Sequence, residues 1–416
     1  MVDNSPAVDA ALQRFEGLYP NSIELSLGRI EAVLETLGRP QDKLPPVIHV
    51  AGTNGKGSTC AYMRAMAEAA GLRVHVFTSP HLVRFNERIR LAGTLVEDAQ
   101  LIGWLNRTYE ALDGREITNF EATTAAAILA FSEVEADLLI LEVGLGGRFD
   151  ATNVVAKPAM SVITPVDFDH KQFLGTDLAV IAGEKAGIIK QGCPVVSAIQ
   201  SRVCGDVIVA EAERLNAPYR GLKIMDIEKV PEQVALPGTH QRYNAALAGL
   251  ALRQLAEHDI SDAAIWQGAM SASWPARMQR LRDGPVTCLS GGAEVWLDGG
   301  HNPHAAAAIA ELLRQMGGRT VLINAMMASK DHASFFYEFT GLIEAIHTVP
   351  NAIGHAGALP EALADTARSI VPEVHAHASF EAAMQAAAKH GADRILICGS
   401  LYIAGDVLAM NGEIPT

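Results

Sequence analysis

The sequence predicts an α/β protein made of a large, doubly wound parallel sheet followed by a smaller α/β unit, and three observations carry that reading. From Val47 onward, short apolar runs alternate with segments of helical periodicity, as in βαβ units. Runs such as Leu138 to Val143 are continuous rather than alternating, the mark of parallel strands covered on both faces. The pattern weakens across Trp274 to Gly292, where Pro275, Pro285 and three glycines fall, and restarts beyond it.

Taken in order, Ile23 to Leu37 has apolar residues at helical spacing and stops at Gly38, so a helix is expected. After Pro45 and Pro46 come a strand at Val47 to Val50, a Gly-rich loop at Ala51 to Gly57, a helix at Ser58 to Ala70 and a strand at Val74 to Phe77. Strands at Leu138 to Val143, Ala159 to Ile163 and Val195 to Ile199 alternate with helices at Glu121 to Ser132 and Asp177 to Lys190. A helix at Ala245 to Leu255 precedes the boundary. Beyond it follow a strand at Glu294 to Leu297, a helix at Pro303 to Met316 opened by proline and closed by Gly317, and strands at Thr320 to Asn324 and Ile395 to Cys398. The expected division is 1–280 and 281–416.

At about 150 residues per domain, 416 residues accommodate two or three domains. Thirty-three Lys and Arg against 47 Asp and Glu leave a net charge of −14, which argues against a nucleic-acid partner or an anionic membrane surface. An anionic ligand then needs a local positive site. The five cysteines are dispersed, with no C-x-x-C pair, as in a reducing compartment. The start MVDNSPAVDA lacks the basic and apolar segments of a signal peptide, and the apolar stretch Ile395 to Gly405 falls short of the roughly 20 residues of a membrane span. A cytoplasmic protein is expected.

The sharpest chemical signal is Ala51-Gly52-Thr53-Asn54-Gly55-Lys56-Gly57-Ser58-Thr59, set between a strand and a helix. Phosphates need backbone N–H groups free of side chains, a helix N-terminus, a lysine, and a hydroxyl for Mg²⁺, and all four are present. The first unit therefore reads as P-loop NTPase-like and the second as Rossmann-like. Gly57 separates Lys56 from Ser58, a departure from the ordinary Walker spacing.

That loop resembles the P-loop of the Mur ligase superfamily, specifically its folylpolyglutamate synthase branch. The likeness continues in order through Thr78-Ser79-Pro80-His81-Leu82 with Arg84, Phe120-Glu121, Glu142 to Asn153, Asp169-His170, Glu184-Lys185-Ala186-Gly187, His240-Gln241 with Asn244, Arg277-Met278-Gln279, and Asp298-Gly299-Gly300-His301-Asn302-Pro303. Gly300 stands where the family usually has Ala, and Met326 to Asp331 lacks a customary glycine.

Glu142 ends a run that reads as a buried strand, so its carboxylate needs a partner, either Mg²⁺ or a nearby arginine. The resemblance implies that Ser79, Glu142 and His170 hold one Mg²⁺. It also implies that Lys185 is carbamylated and ligates a second, although the residues alone suit a surface lysine paired with Glu184. ATP is assigned to Asn54, Gly55, Lys56, Gly57, Ser58, Thr59, Asn244, Arg277, Asp298 and His301, with Lys56, Lys185 and His170 catalytic. Asp298 suits a ribose hydroxyl or a phosphate-side contact, and Arg277 reads equally as a surface linker cation. The pteroate pocket is assigned to Glu24, Leu25, Ser26, Arg84, Thr118, Asn119, Phe120, Glu121, Phe149, Asp150 and Ala151. Phe120 suits either a flat pterin or the core, and Asp150 also suits a helix cap.

The implied activity is ATP-dependent ligation of L-glutamate to dihydropteroate and to reduced folates through an acyl phosphate, in a monomer, with K⁺ as the assisting monovalent ion. The alternatives are an enzyme with the polyglutamylating activity alone and a Mur-type amino-acid ligase. The latter is disfavoured because only 51 residues precede Gly52, too few for a typical UDP-binding domain. A nucleotide switch without ligase chemistry needs neither the second unit nor a pterin pocket.

Overall fold

The computed structural model describes residues 4–19, 26–169, 174–351 and 357–416. Its first sheet has eight strands: β1 (Val47–Ala51), β2 (Val74–Phe77), β3 (Ile89–Leu91), β4 (Thr94–Leu95), β5 (Leu138–Glu142), β6 (Met160–Ile163), β7 (Val195–Ser197) and β8 (Tyr219–Gly221). They lie in the order β4-β3-β2-β5-β1-β6-β7-β8. From β2 to β8 every pairing is parallel. The chain winds to one side of β1 through β5 and to the other through β6, so the carboxyl ends of β1 and β5 open onto the crevice where such sheets bind ligands. Among these strands β1, β2, β5 and β6 are buried at every position, which explains their continuous apolar runs.

The second sheet comprises β9 (Gln279–Arg280), β10 (Glu294–Leu297), β11 (Thr320–Asn324), β12 (Ile343–Thr348), β13 (Glu373–Ala376) and β14 (Arg394–Cys398), in the order β13-β12-β11-β14-β10-β9. Only β9 is antiparallel here. This sheet therefore begins at Gln279, just ahead of the expected division at 281.

Several elements differ from expectation for local reasons. The helix after β1 is Lys56–Ala69, starting before Ser58, because Gly55 at φ +82° already turns the chain. Antiparallel β3 and β4 form an edge not read from the sequence; Ala92 and Gly93, both at positive φ, make the two-residue turn joining them. The helix expected at Asp177 to Lys190 is Leu178–Ala186, capped by the Asp177 carboxylate. The helix expected from Ala245 starts at Thr239. The helix expected at Ile23 to Leu37 is described as Gly28–Thr36. Among the described residues no helix is long and apolar enough to cross a membrane.

Candidate active site

A cavity of about 770 Å³ lies between the two sheets. The first unit lines it with Thr53 to Ser58, Ser79, Glu142 and Asn244, the linker contributes Arg277, and the second unit contributes Asp298 to His301 and Lys330. Such a volume suits a small-molecule ligand.

The loop after β1 is shaped by its glycines. Gly52 sits at φ +147° with the Thr164 side chain pressed against the place a Cβ would occupy. Thr53 ties the loop to the chain after β6, its hydroxyl donating to the Asp167 carbonyl at 2.8 Å. No side chain caps the helix Lys56–Ala69, so its first N–H groups remain for a ligand. Among the described residues Lys56 Nζ reaches only carbonyl oxygens, Gly52 at 3.1 Å and Thr53 at 3.3 Å. The extra glycine of the motif has a steric cause: a Cβ at Gly57 would stand 2.8 Å from Nε1 of Trp274. At Gly55 the Asn244 Oδ1 would be 2.6 Å from a Cβ, so Asn244 adjoins the loop as expected. Its neighbour Gln241 donates to the Ser58 hydroxyl at 3.3 Å and was not among the expected site residues.

Glu142 is 4% exposed at the end of β5, and its Oε2 has no hydrogen-bond partner among the described residues. Burial pushes its carboxyl up to about 7, offset in part by the Lys56 charge and a backbone hydrogen bond from Ser79. An orphaned buried carboxylate oxygen beside a serine and a phosphate-type loop fits a hard cation. His170 lies outside the described residues, as do Glu24 and Leu25.

Lys185 is buried, contrary to the surface lysine that its residue context suggests. Glu184 pairs instead with Arg148 at 3.6 Å. The helix is drawn in because Gly147 and Gly187 let backbones touch: a Cβ on Gly147 would meet the Glu184 carbonyl at 2.6 Å, and one on Gly187 would meet Arg148 Cβ at 2.5 Å. Lys185 then shares a crevice with Lys56, Asp169 and Gly144 to Gly146. Desolvation first, and the Lys56 charge second, lower its ammonium to about 7.

Across the cavity, Asp169 receives Lys330 Nζ at 2.5 Å, Asn302 Nδ2 at 3.2 Å and His301 Nε2 at 3.3 Å. Asn302 also donates to Asn54 Oδ1 at 3.0 Å. These polar contacts join the two units beside the P-loop, and Asp169, Asn302 and Lys330 were not expected site residues. Asp298 lines the cavity as expected, and its Oδ2 also accepts the Met278 N–H and its Oδ1 the Gly300 N–H, each at 2.7 Å.

Thr59 and, among the described residues, those expected at a pteroate pocket do not line this cavity. Glu121 takes two guanidinium bonds from Arg29, at 3.1 and 3.0 Å, and completes a capping box with Thr118 at the start of the helix Asn119–Glu133. Asp150 accepts from Leu145 and Thr152 and caps the short helix Ala151–Val154, so its carboxylate serves the turn. Arg84 donates to the Pro415 carbonyl at 3.3 Å. Phe120 is half-buried and packs on Gly144, whose missing Cβ makes room for the ring. Phe149 is 43% exposed, and Ser26 accepts from the Gly28 N–H at 3.2 Å.

Residues 50–199 match the Mur ligase middle domain, and residues 276–401 match the glutamate ligase domain of Mur ligases. The chain is 36% identical to the dihydrofolate synthase/folylpolyglutamate synthase of Bacillus subtilis, over 92% of this chain and 94% of that protein. The Escherichia coli FolC solved with DHPP and ADP superposes with a TM-score of 0.85 at 29% identity, covering 98% of each chain. The Yersinia pestis folylpolyglutamate synthase/dihydrofolate synthase solved with AMPPNP and Mn ion gives a TM-score of 0.83 at 29% identity, over 98% of this chain and 99% of that one.

Proposed function

Since the chain belongs to the dihydrofolate synthase/folylpolyglutamate synthase family of Mur ligases, we propose that its cavity binds MgATP and that it joins L-glutamate both to dihydropteroate and to reduced folates. The enzyme is an ATP-dependent acid–amino-acid ligase. The observation that supports this site assignment most directly is the orphaned Oε2 of buried Glu142, facing the same cavity as Lys56 and Ser79.

In the first step a carboxylate oxygen of the pterin substrate attacks the γ-phosphorus of ATP. The bond to the bridging oxygen breaks, giving ADP and an acyl phosphate. The glutamate amine then attacks the acyl carbon, a C–N bond forms, inorganic phosphate leaves with the acyl C–O electrons, and the ammonium protons pass to solvent. The chain's task is positioning and charge stabilisation. Lys56, held among the described residues by two carbonyls, can turn to phosphate oxygens, and the uncapped N–H groups of the helix Lys56–Ala69 meet the same charge. Arg277 enters from the linker and closes the other side. Ser79 and Glu142, with His170, would hold Mg²⁺, which when bound neutralises phosphate charge.

An amine lowered to about 7 is about half neutral at pH 7, and a neutral amine adds CO₂; this supports carbamylation of Lys185 and a second metal near it. The pteroate is assigned to the side of β5 where Phe120 covers Gly144, and K⁺ is the proposed monovalent ion. Residues 1–280 carry nucleotide and pterin, and 281–416, together with β9, close over them.

The test is ADP release with MgATP and L-glutamate in the presence of dihydropteroate, of a tetrahydrofolate monoglutamate, or of no pterin, with mass spectrometry of the products. Both pterins should gain one glutamate residue. Turnover of the folate alone would leave only the polyglutamylating activity, and pterin-independent ADP release without an amide product would overturn the substrate reading.

A further inference from the structure

The strand β1 is apolar except at its centre, where it carries a histidine. His49 pairs with Leu141 on β5 and Ser161 on β6 and is 0% exposed. A buried imidazole loses water at both nitrogens, and here Nε2 regains a partner whereas Nδ1 has none among the described residues. An apolar side chain would fill the place at less cost, so what accounts for the histidine is the contact that Nε2 makes.

Nε2 lies 2.8 Å from the Thr152 hydroxyl. That hydroxyl has one proton and donates it to Asp150 Oδ1 at 2.5 Å, so its oxygen accepts and Nε2 carries the proton. Burial, with the Lys190 charge behind it, pushes the imidazolium down to about 3, which keeps the ring a neutral single donor. The three groups form a buried file from the strand that leads into the P-loop to the turn after β5. At its far end Asp150 also accepts the Thr152 N–H at 3.0 Å and the Leu145 N–H at 2.8 Å, the latter from the turn that Phe120 covers at Gly144. These bonds set the carboxylate's orientation and leave it lone-pair capacity for a ligand.

We propose that His49 is a positioning residue for the pterin substrate: by donating to Thr152 it fixes the hydroxyl that orients the Asp150 carboxylate, and that carboxylate receives the N–H groups of the pterin's aminopyrimidine edge. His49 acts through Thr152 and Asp150, and it lines neither the large cavity nor the crevice of Lys185. The inference rests on the reading that places Asp150 at the pteroate. Without the donor, the Thr152 hydroxyl is held at one end only, and the carboxylate it steadies presents itself to the pterin less uniformly.

The experiment measures kcat and the KM for dihydropteroate and for ATP in the wild type, His49→Phe, His49→Gln, Thr152→Val, Thr152→Ser and the double variant His49→Phe with Thr152→Val. His49→Phe fills the same place without a donor and should raise the dihydropteroate KM about ten-fold, the worth of one hydrogen bond, with the ATP KM unchanged. His49→Gln, whose amide still donates, should recover most of that loss, and the double variant should be no worse than Thr152→Val alone. An unchanged dihydropteroate KM in His49→Phe, an equal rise in the ATP KM, or losses that multiply in the double variant would overturn the proposal. If His49→Phe is unfolded at the assay temperature, His49→Leu, smaller and equally without a donor, takes its place. Thr152→Val against Thr152→Ser asks the same of the hydroxyl: the dihydropteroate KM should rise in the first and not in the second, and equal rises overturn the proposal. Asp150→Asn separates the two readings: an unchanged dihydropteroate KM there removes Asp150 from the pterin site and the proposal with it, whereas a raised KM beside an indifferent His49→Phe removes only the role of His49.

Discussion

Glu142 and Asp298 are the same kind of group in the same kind of place: buried carboxylates at the carboxyl ends of parallel strands, one from each sheet, lining one cavity. Their partners are opposite. Glu142 has an oxygen without a partner among the described residues, whereas Asp298 has a short backbone N–H bond on each oxygen. Burial raises both carboxyls, so burial does not tell them apart. A buried polar atom left without a partner is costly, and its persistence points to a ligand; one that accepts backbone N–H groups shapes its turn and keeps lone pairs for a further contact. On the proposed function, the groups that would meet the reacting phosphates lie mainly in the first unit.

The largest effect expected from this contrast is at Lys56. Lys56→Ala should lower turnover by about 10³-fold or more with the thermal midpoint little changed, since its present partners are two carbonyls of its own loop; near-normal ligation would break the contrast at once. Glu142→Gln should lose about 10²- to 10³-fold in rate and much of its Mg²⁺ dependence without a lower midpoint, because the amide removes a buried charge. A lowered midpoint would make Glu142 a structural carboxylate. Lys185→Ala should cost about 10²-fold and recover in part with an added short carboxylate; no loss at all would dismiss the carbamate.

The smallest effect lies in the second unit, at residues that do not line the cavity. His347, on β12, is surrounded by His375, His377 and His390, with Glu373 Oε1 at 3.4 Å from His375 and 3.7 Å from His390. Burial, then the neighbouring imidazoles, hold His347 down at about 3. A histidine depressed in the fold binds fewer protons than in the unfolded chain between about 6.5 and 3, so stability falls as pH drops through that window. The midpoint should therefore drop by about 2–4 °C more in wild type than in His347→Gln between pH 7 and 5; equal slopes would show the cluster to be inert.

What the sequence made legible was local. The P-loop is read from nine consecutive residues because backbone, lysine and hydroxyl must all meet one phosphate, and strands such as Val74–Phe77 and Glu294–Leu297 fall where their apolar runs place them. What was not legible depends on partners distant in the chain. Lys185 looks like a surface residue until Gly147 and Gly187 draw its helix onto Arg148. Glu121 looks free for an aminopyrimidine until Arg29 takes both of its oxygens. Asp298 reads as a ligand-binding carboxylate, and that Met278, twenty positions earlier, also bonds to it is not visible in the sequence. Gly57 broke the Walker spacing without apparent cause, and the cause is a side chain more than two hundred residues away.

That last contact has an optical consequence. Of the four tryptophans, Trp104 and Trp296 donate their indole N–H to Glu133 and Glu294, and Trp266 is 48% exposed on a helix surface. Trp274 alone rests on the first turn of the phosphate loop. Its emission should therefore respond when nucleotide enters, giving the enzyme an intrinsic, label-free reporter whose signal Trp274→Phe removes and whose titration with ADP reads occupancy of the loop directly.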